Sequence, residues 1–316
     1  MGFPEMPAAV KKVAVAIPCY NESATIAKVV SDFRRALPSA GIVVVDNGST
    51  DGSAQLAQGA GASVLLESRR GKGWVMQSIF EKISAEILIV VDGDDTYPAE
   101  EIRRLLEPVE QGQADMTIGT RLQKAAPGAI GSLHRWGNRL ILWVLNRAFG
   151  SSFTDVLSGY RVFSERFLRQ VPMIATGFET EVELTIQALT HGMVVVEIPV
   201  SYRGRPVGSQ SKLHPFLDGY RILRTIAILL RDHKPLAVFG TLGAFCLLAG
   251  AAMGALRLMD YAGIHTLPIA ILSGFFILFV TVGVMLFGIG LILNSVNTGL
   301  RNLASLLRRP GLEKKP

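Results

Sequence analysis

Apolar residues in the first 120 positions fall in short unbroken runs: residues 13–17 (VAVAI), 42–45 (IVVV), 63–66 (SVLL), 87–91 (ILIVV) and 116–119 (MTIG). A run of aliphatic, mostly β-branched residues without polar alternation predicts a strand covered on both faces. Helical spacing fills the intervals at residues 23–37, 53–60, 74–83 and 98–111. The last interval opens with Pro98 and sets Glu100 and Glu101 in its first turn, where the helix dipole favours them. Strand and helix alternate, which predicts an α/β domain with a mostly parallel sheet between helices.

Beyond residue 234 the pattern changes. Residues 235–256 (PLAVFGTLGAFCLLAGAAMGAL) and 267–293 (LPIAILSGFFILFVTVGVMLFGIGLIL) carry no charge. At about 1.5 Å per residue each is long enough to cross a hydrocarbon layer of about 30 Å. Their Gly and Ala residues would weaken a soluble helix but let helices approach closely in lipid. Two transmembrane helices are expected, because nothing else in the chain could cover such a hairpin. Two further stretches have an amphipathic pattern. Residues 132–149 set Leu133, Trp136, Leu140, Trp143, Val144 and Leu145 against Arg135, Asn138, Arg139 and Arg147, and residues 216–230 form the second. Both suit the bilayer interface.

Charge fixes the orientation. Residues 201–234 hold seven Lys/Arg against two Asp and residues 301–316 hold five against Glu313, while Arg257 and Asp260 balance in the connecting loop. Both flanks are therefore expected on the cytoplasmic side. With +5 and +4 in those stretches against a total of +6, residues 1–200 carry −3. The basic excess lies beside the membrane, which favours anionic lipid or phosphate as partner and argues against nucleic acid. The first apolar run is too short for a secretion signal. Charged residues make up 18% of the 316 and apolar ones 49%, which excludes a disordered or collagen-like chain. Cys19 and Cys246, far apart, offer neither a disulfide framework nor a zinc site of the CxxC type.

Ligands of a parallel sheet bind beyond the carboxyl ends of its strands. Four of these ends carry unusual polar residues: Pro18-Cys19-Tyr20-Asn21-Glu22, Asp46-Asn47-Gly48-Ser49-Thr50-Asp51-Gly52, Asp92-Gly93-Asp94-Asp95 and Gly119-Thr120-Arg121. An acidic cluster closing a hydrophobic strand is repulsive unless a cation neutralises it. Asp92 and Asp94, separated by Gly93, can both reach a hard divalent ion, Mg²⁺ or Mn²⁺, that also holds a diphosphate. A plain turn with helix-capping acids is the alternative for that motif alone. An EF-hand is rejected because Tyr97 stands where its Gly is required. Asp46 and Asn47 can hydrogen-bond a nucleobase and ribose, or simply cap a turn. Gly71-Lys72-Gly73 lacks the hydroxyl residue of a P-loop, and Lys72 remains a phosphate contact. Cys19, with no His near it in sequence, is expected to pack rather than react.

In order along residues 12–215, IPCYNE, VVDNGSTDGS, RRGKG, VDGDDTYP, GTR, DVLSGYRVF, GFETEVEL and YRGRPVGSQSKL resemble the successive motifs of family-2 glycosyltransferases of GT-A fold. Within that family they resemble the polyprenyl-phosphate glycosyltransferases, the group of dolichol-phosphate mannose synthase, and the two C-terminal spans are similar to the bacterial branch that uses undecaprenyl phosphate. The resemblance implies a Rossmann-like, mostly parallel cytoplasmic domain followed by interfacial and transmembrane helices. Asp46 then becomes the nucleobase reader, with Pro18, Tyr20 and Glu22 lining the nucleotide pocket. Asp92 and Asp94 become the metal pair, with Gly93 between them. Arg121 and Arg135 would hold the acceptor phosphate. Arg205, Ser211 and Lys212 match a segment that closes over the phosphates, with two residues rather than one between Gly208 and Ser211. Thr96 stands near where relatives carry an amide.

The expected organisation is a catalytic domain over 1–213 with the 132–149 helix inserted, a juxtamembrane amphipathic helix over 214–233, a two-helix hairpin over 234–300 and a basic tail over 301–316. The implied enzyme is a hexosyltransferase of the bacterial inner membrane, with both termini cytoplasmic and a homo-oligomer permitted by the small residues of the spans. It takes a UDP- or GDP-linked sugar and, with a divalent cation, transfers the sugar with inversion to polyprenyl phosphate for envelope glycan or lipid modification. A phosphate monoester with second pKa near ~6 is already mostly dianionic at pH 7, so its attack needs positioning more than deprotonation. Asp94, Arg121, Arg135 and Asp155 are the catalytic candidates. Asp155, Glu179 and Glu181 stand where a base for a hydroxyl acceptor would be, and are expected to shape the sugar pocket or order the arginines. Two rivals are a transferase to a ceramide or diacylglycerol hydroxyl or a polysaccharide synthase, whose Q-x-x-R-W motif is missing, and a non-catalytic lipid-binding membrane protein, disfavoured by the intact acidic pair.

Overall fold

The structure, a computed structural model, describes residues 11–121, 132–173, 177, 179–204, 215–261 and 268–307. The chain divides into two compact units, residues 1–226 and 227–316.

The first unit is built on a seven-stranded sheet. Its strands are β1 (Lys11–Cys19), β2 (Gly41–Asp46), β3 (Ser63–Leu66), β4 (Ala85–Val90), β5 (Met116–Thr120), β6 (Arg161–Ser164) and β7 (Val195–Pro199), in the order β3-β2-β1-β4-β6-β5-β7. Only β6 runs against the others, antiparallel to both β4 and β5. The carboxyl ends of β1, β2, β4 and β5 therefore lie along one edge. Register sharpens this: Cys19 pairs with Asp46 and Ala16 with Val90, so Asp46, Pro18 and Asp92 come level at the end of the sheet.

All five strands predicted from hydrophobic runs form. Their side chains alternate between two cores, as a sheet covered on both faces requires. Val15, Ile17, Val44, Ile87 and Ile89 point to one side with Ile26, Val30 and Phe33 of α1 (Ile26–Ala36) and Ile102, Leu105 and Leu106 of α4 (Ile102–Glu110). Ala14, Ala16, Val43, Val45, Leu88 and Val90 point to the other, with Val75, Met76 and Ile79 of α3 (Lys72–Lys82), Phe167 of α6 (Glu165–Gln170) and Leu184 of α7 (Thr180–Thr190). The short α2 (Ser53–Gly59) joins β2 to β3.

Helix boundaries differ from the sequence pattern where loops take the backbone. Residues 23–25 are held outside α1 because Ser23 N donates to Asp51 Oδ2 at 2.9 Å and Thr25 Oγ1 to the Gly93 carbonyl at 2.7 Å. Residues 99–101 form a 3-10 turn before α4. Helix α3 begins at Lys72 rather than 74, because Gly71, at φ +132°, turns the chain sharply there.

Helix α5 (Ser132–Phe149) has Ile141, Leu142 and Leu145 buried, with Trp143 67% exposed. Asn138, assigned to the polar face by the sequence pattern, is instead 4% exposed on the buried side. Helix α8 (Pro215–His233) buries Ile222, Ile226 and Leu229 at helical spacing. In the second unit α9 (Pro235–Tyr261) and α10 (Ile269–Leu307) pack antiparallel. They hold spans apolar and long enough to cross a membrane at Pro235–Met259 and Ala270–Leu300. A Cβ on Gly243 would lie 2.8 Å from the Gly283 carbonyl oxygen, so here the small residues serve helix contact inside the hairpin. The outer faces, with Phe245, Leu248 and Ile292, are exposed and apolar.

Candidate active site

The β1–α1 and β2–α2 loops are laced together by their own polar groups. Asn21 N donates to Ser49 Oγ at 2.9 Å, Thr50 N to Asn21 Oδ1 at 2.9 Å and Glu22 N to Ser53 Oγ at 2.8 Å. This fixes Tyr20 and Glu22 beside the end of β2. Asp46, 2% exposed, accepts the N–H groups of Gly48 and Ser49 on Oδ2, at 3.1 and 3.0 Å. Its Oδ1 is buried with no hydrogen-bond partner among the described residues. A buried carboxylate oxygen left unpaired is costly, and a ligand N–H or O–H is what such an atom accepts.

Asn47 does different work from that expected. Its Nδ2 donates to the carbonyls of Glu67 (3.0 Å) and Arg69 (2.7 Å), and its Oδ1 accepts from Gly71 N (2.9 Å). In this structure the amide holds the fold of the 67–71 loop. That loop brings the Arg70 guanidinium to 4.7 Å from the Tyr20 ring centroid, beside Gly48 of the β2–α2 loop. The same loop is anchored by Glu67, whose carboxyl is held at about 2 by its ion pair with Arg69 and, beyond that, by the Ser78 hydroxyl. Cys19 is buried, and loss of solvation together with the Asp46 charge pushes its thiol up to about 12, which fits a packed side chain.

Along the edge, Lys72 Nζ lies 2.7 Å from Asp92 Oδ1 and 2.6 Å from Glu181 Oε1. Burial alone would lower the lysine's pKa, but the two carboxylates outweigh it and raise it. Asp92 also packs against Gly159, where an added Cβ would collide with its carboxylate. Gly93 is pinned between strands: its carbonyl accepts from Thr25, and a Cβ there would meet the Pro18 carbonyl at 3.3 Å. Asp94 is buried, and its Oδ1 accepts the Thr96 hydroxyl at 2.6 Å.

At the end of β5, Arg121 is gripped by Asp155 through two parallel bonds, Nε to Oδ2 and Nη2 to Oδ1, both 2.8 Å, and its backbone N–H adds a third at 3.0 Å. Asp155 is 0% exposed. Glu197 of β7 in turn accepts the backbone N–H groups of Thr154 and Asp155 at 2.9 Å, fixing the turn that carries the carboxylate. Arg121 lies over Tyr202 at 5.6 Å, and burial's opposing effect is outweighed so that its pKa stands well above the ordinary value. Arg161, fully buried, donates to the carbonyls of Val156 and Ser158 and so shapes the loop between Asp155 and Gly159.

The structure thus brings Pro18, Tyr20, Glu22, Asp46, Lys72, Asp92, Gly93, Asp94, Arg121 and Asp155 to one edge of the sheet. Glu179 Oε2 is a further buried acceptor without a partner among the described residues. Arg205, Ser211, Lys212 and the side chain of Arg135 lie outside the described residues. Sequence reasoning passed over Arg70, Gly159, Glu197 and Tyr202. Arg70, Gly159 and Tyr202 fall inside the family-like motifs, whereas Glu197 had no signal beyond an acidic residue in an apolar strand.

A sheet of this order, whose carboxyl edge combines a buried aspartate, a D-x-D turn and a held arginine, defines a GT-A glycosyltransferase. Residues 14–171 match the family described as Glycosyl transferase family 2, and the chain belongs to it. It is similar to Glycosyltransferase AglJ of Haloferax volcanii, 38% identical over 236 residues, 73% of this chain and 76% of that one. It is also similar to the polyprenol monophosphomannose synthase of Mycolicibacterium smegmatis, 30% identical over 229 residues, 66% of this chain and 84% of that one. Among solved structures, glucosyl-3-phosphoglycerate synthase from Mycobacterium tuberculosis, in complex with Mn²⁺, UDP-glucose and phosphoglyceric acid, shares the fold with TM-score 0.57 at 20% identity, over 69% of this chain and 79% of that one.

Proposed function

We propose that this glycosyltransferase moves a sugar from a UDP- or GDP-linked donor to a polyprenyl phosphate, with inversion, at the cytoplasmic face of a bacterial inner membrane. The observation that carries the reading is the Arg121–Asp155 pair. Nε and Nη2 face Asp155, which leaves the Nη1 edge to take a phosphate oxygen. Relatives named for polyprenyl-phosphate chemistry and two helices apolar enough to cross a membrane support a lipid phosphate as that ligand.

The residues fit a divalent cation. Asp92 and Asp94 are carboxylates one residue apart at the end of a buried strand, the hard oxygen donors that Mg²⁺ or Mn²⁺ takes. A cation held there would supply positive charge to neutralise the departing diphosphate of the donor. Asp46 Oδ1 reads the nucleobase N–H, with Tyr20 and Arg70 flanking it. A lipid phosphate oxygen, oriented by Arg121 and Arg135, attacks C1 of the sugar from the side opposite the diphosphate. The new C1–O bond forms as the bond to the diphosphate breaks, and the electron pair leaves with the nucleoside diphosphate, beside Lys72.

No side chain need remove a proton. Both oxygens of Asp155 are held by Arg121 and Glu181 is held by Lys72, so neither is arranged as a base. Transfer from a panel of radiolabelled nucleotide sugars to undecaprenyl phosphate tests the reading. Asp94→Ala is expected to lose transfer by at least a hundredfold while still inserting in membranes. Near-normal turnover by that variant with Mg²⁺ or Mn²⁺ present would overturn the metal assignment.

A further inference from the structure

Lys72 sits where two carboxylates would otherwise face each other. Its ammonium is 2.7 Å from Asp92 and 2.6 Å from Glu181, with only 16% of its side chain exposed. The lysine stands on the first turn of α3, and Glu181 on the first turn of α7, so the bridge ties two helices to the end of β4. On another side Asp92 is confined by the Gly159 backbone. The carboxylate that the proposed function gives to the cation is therefore already neutralised, by a side chain of the same chain.

Building on that reading of Asp92 and Asp94, we infer that Lys72 is the resident counter-ion of Asp92 and competes with the divalent cation, and that Glu181 is the berth that keeps the ammonium when the cation takes Asp92. A cation bound to Oδ1 would lie within a few ångströms of Nζ, and like charges at such range oppose each other strongly in a partly buried site. The diphosphate relieves the conflict, because its negative charge attracts both the cation and the lysine. Cation and nucleotide then bind with positive coupling, each raising the affinity of the other by the same factor. Without a nucleotide, Lys72 holds the site closed to metal while keeping Glu181, 7% exposed, from being buried unpaired.

Mn²⁺ binding to the full-length protein in detergent, followed by the electron paramagnetic resonance of free Mn²⁺ with and without uridine or guanosine diphosphate, tests this directly. In the nucleotide-free protein Lys72→Met is expected to bind Mn²⁺ at least tenfold more tightly than the unaltered chain and to show weaker coupling to the nucleotide. Its melting temperature should fall in the absence of metal, because two carboxylates then face each other, and should recover with Mn²⁺ by more than the unaltered protein gains. The double variant Lys72→Met/Glu181→Gln keeps the net charge of the pair at zero, folds without that repulsion, and should also bind Mn²⁺ more tightly. Unchanged or weaker binding in both variants would overturn the inference. If Asp94→Ala binds Mn²⁺ as the unaltered protein does, the metal site itself is misassigned. If Asp94→Ala loses the ion while the Lys72 variants show no gain, the counter-ion role alone fails.

Discussion

Asp155 shows how position decides the role of a residue whose type leaves it open. By sequence it is an acid where a base would serve a hydroxyl acceptor; in the structure it is fully buried with both oxygens on Arg121. On the proposed mechanism it is a positioning residue, and Asp155→Asn separates the two roles. Removing its charge leaves the part-buried Arg121 without its counter-ion, which is expected to lower the melting temperature. The variant should raise the KM for lipid phosphate at least tenfold and leave the shape of the pH–rate profile unchanged. Disappearance of the acidic limb of that profile would instead make Asp155 a base. The position of Asp46, Asp92, Asp94 and Arg121 at the carboxyl edge of the sheet was legible because each closes a hydrophobic run with a charged or polar group. Gly159 and Glu197 were not, since their importance arises only from contact across the fold, with Asp92 and with the Thr154–Asp155 backbone.

Elements written as continuous apolar runs were readable, and those that break the pattern were not. Strand β6 opens with Arg161, whose buried charge is spent on loop carbonyls, and β7 carries Glu197 and ends in Pro199 at the edge of the sheet. Neither looks like a covered strand, although β6 lies in the middle of the sheet. Helix α5 misled in the opposite sense: a two-sided pattern was plain, yet Asn138 faces inward beside Ile141 and Leu142. In the hairpin the small residues can be tested by size. A side chain at Gly243 meets backbone atoms of Gly283 and Phe287 that cannot swing aside, whereas Gly274 has nothing within 4 Å. Gly243→Leu is expected to cost about 1–3 kcal/mol in the detergent-solubilised protein. Gly274→Leu should leave the melting temperature unchanged, and equal melting temperatures for the two variants would contradict this packing.

For the whole molecule, the distribution of charge and apolar surface agrees with the chemistry proposed at the sheet edge. The first 200 residues are acidic, the segments flanking the apolar helices are basic, and the helices present apolar outer faces. An enzyme whose acceptor phosphate is attached to a lipid needs a membrane-anchored chain and cations to hold that phosphate, and needs no base to ionise it. A hydroxyl acceptor would reverse the last requirement. The decisive measurement offers the purified full-length protein, with its nucleotide sugar and Mg²⁺ or Mn²⁺, undecaprenyl phosphate in one arm and undecaprenol or a diacylglycerol in the other, and follows label into the organic phase. Label in the phosphate arm alone is the result predicted. Label in a hydroxyl arm with none in the phosphate arm would contradict the account and return Asp155, Glu179 and Glu181 to candidacy as the catalytic base.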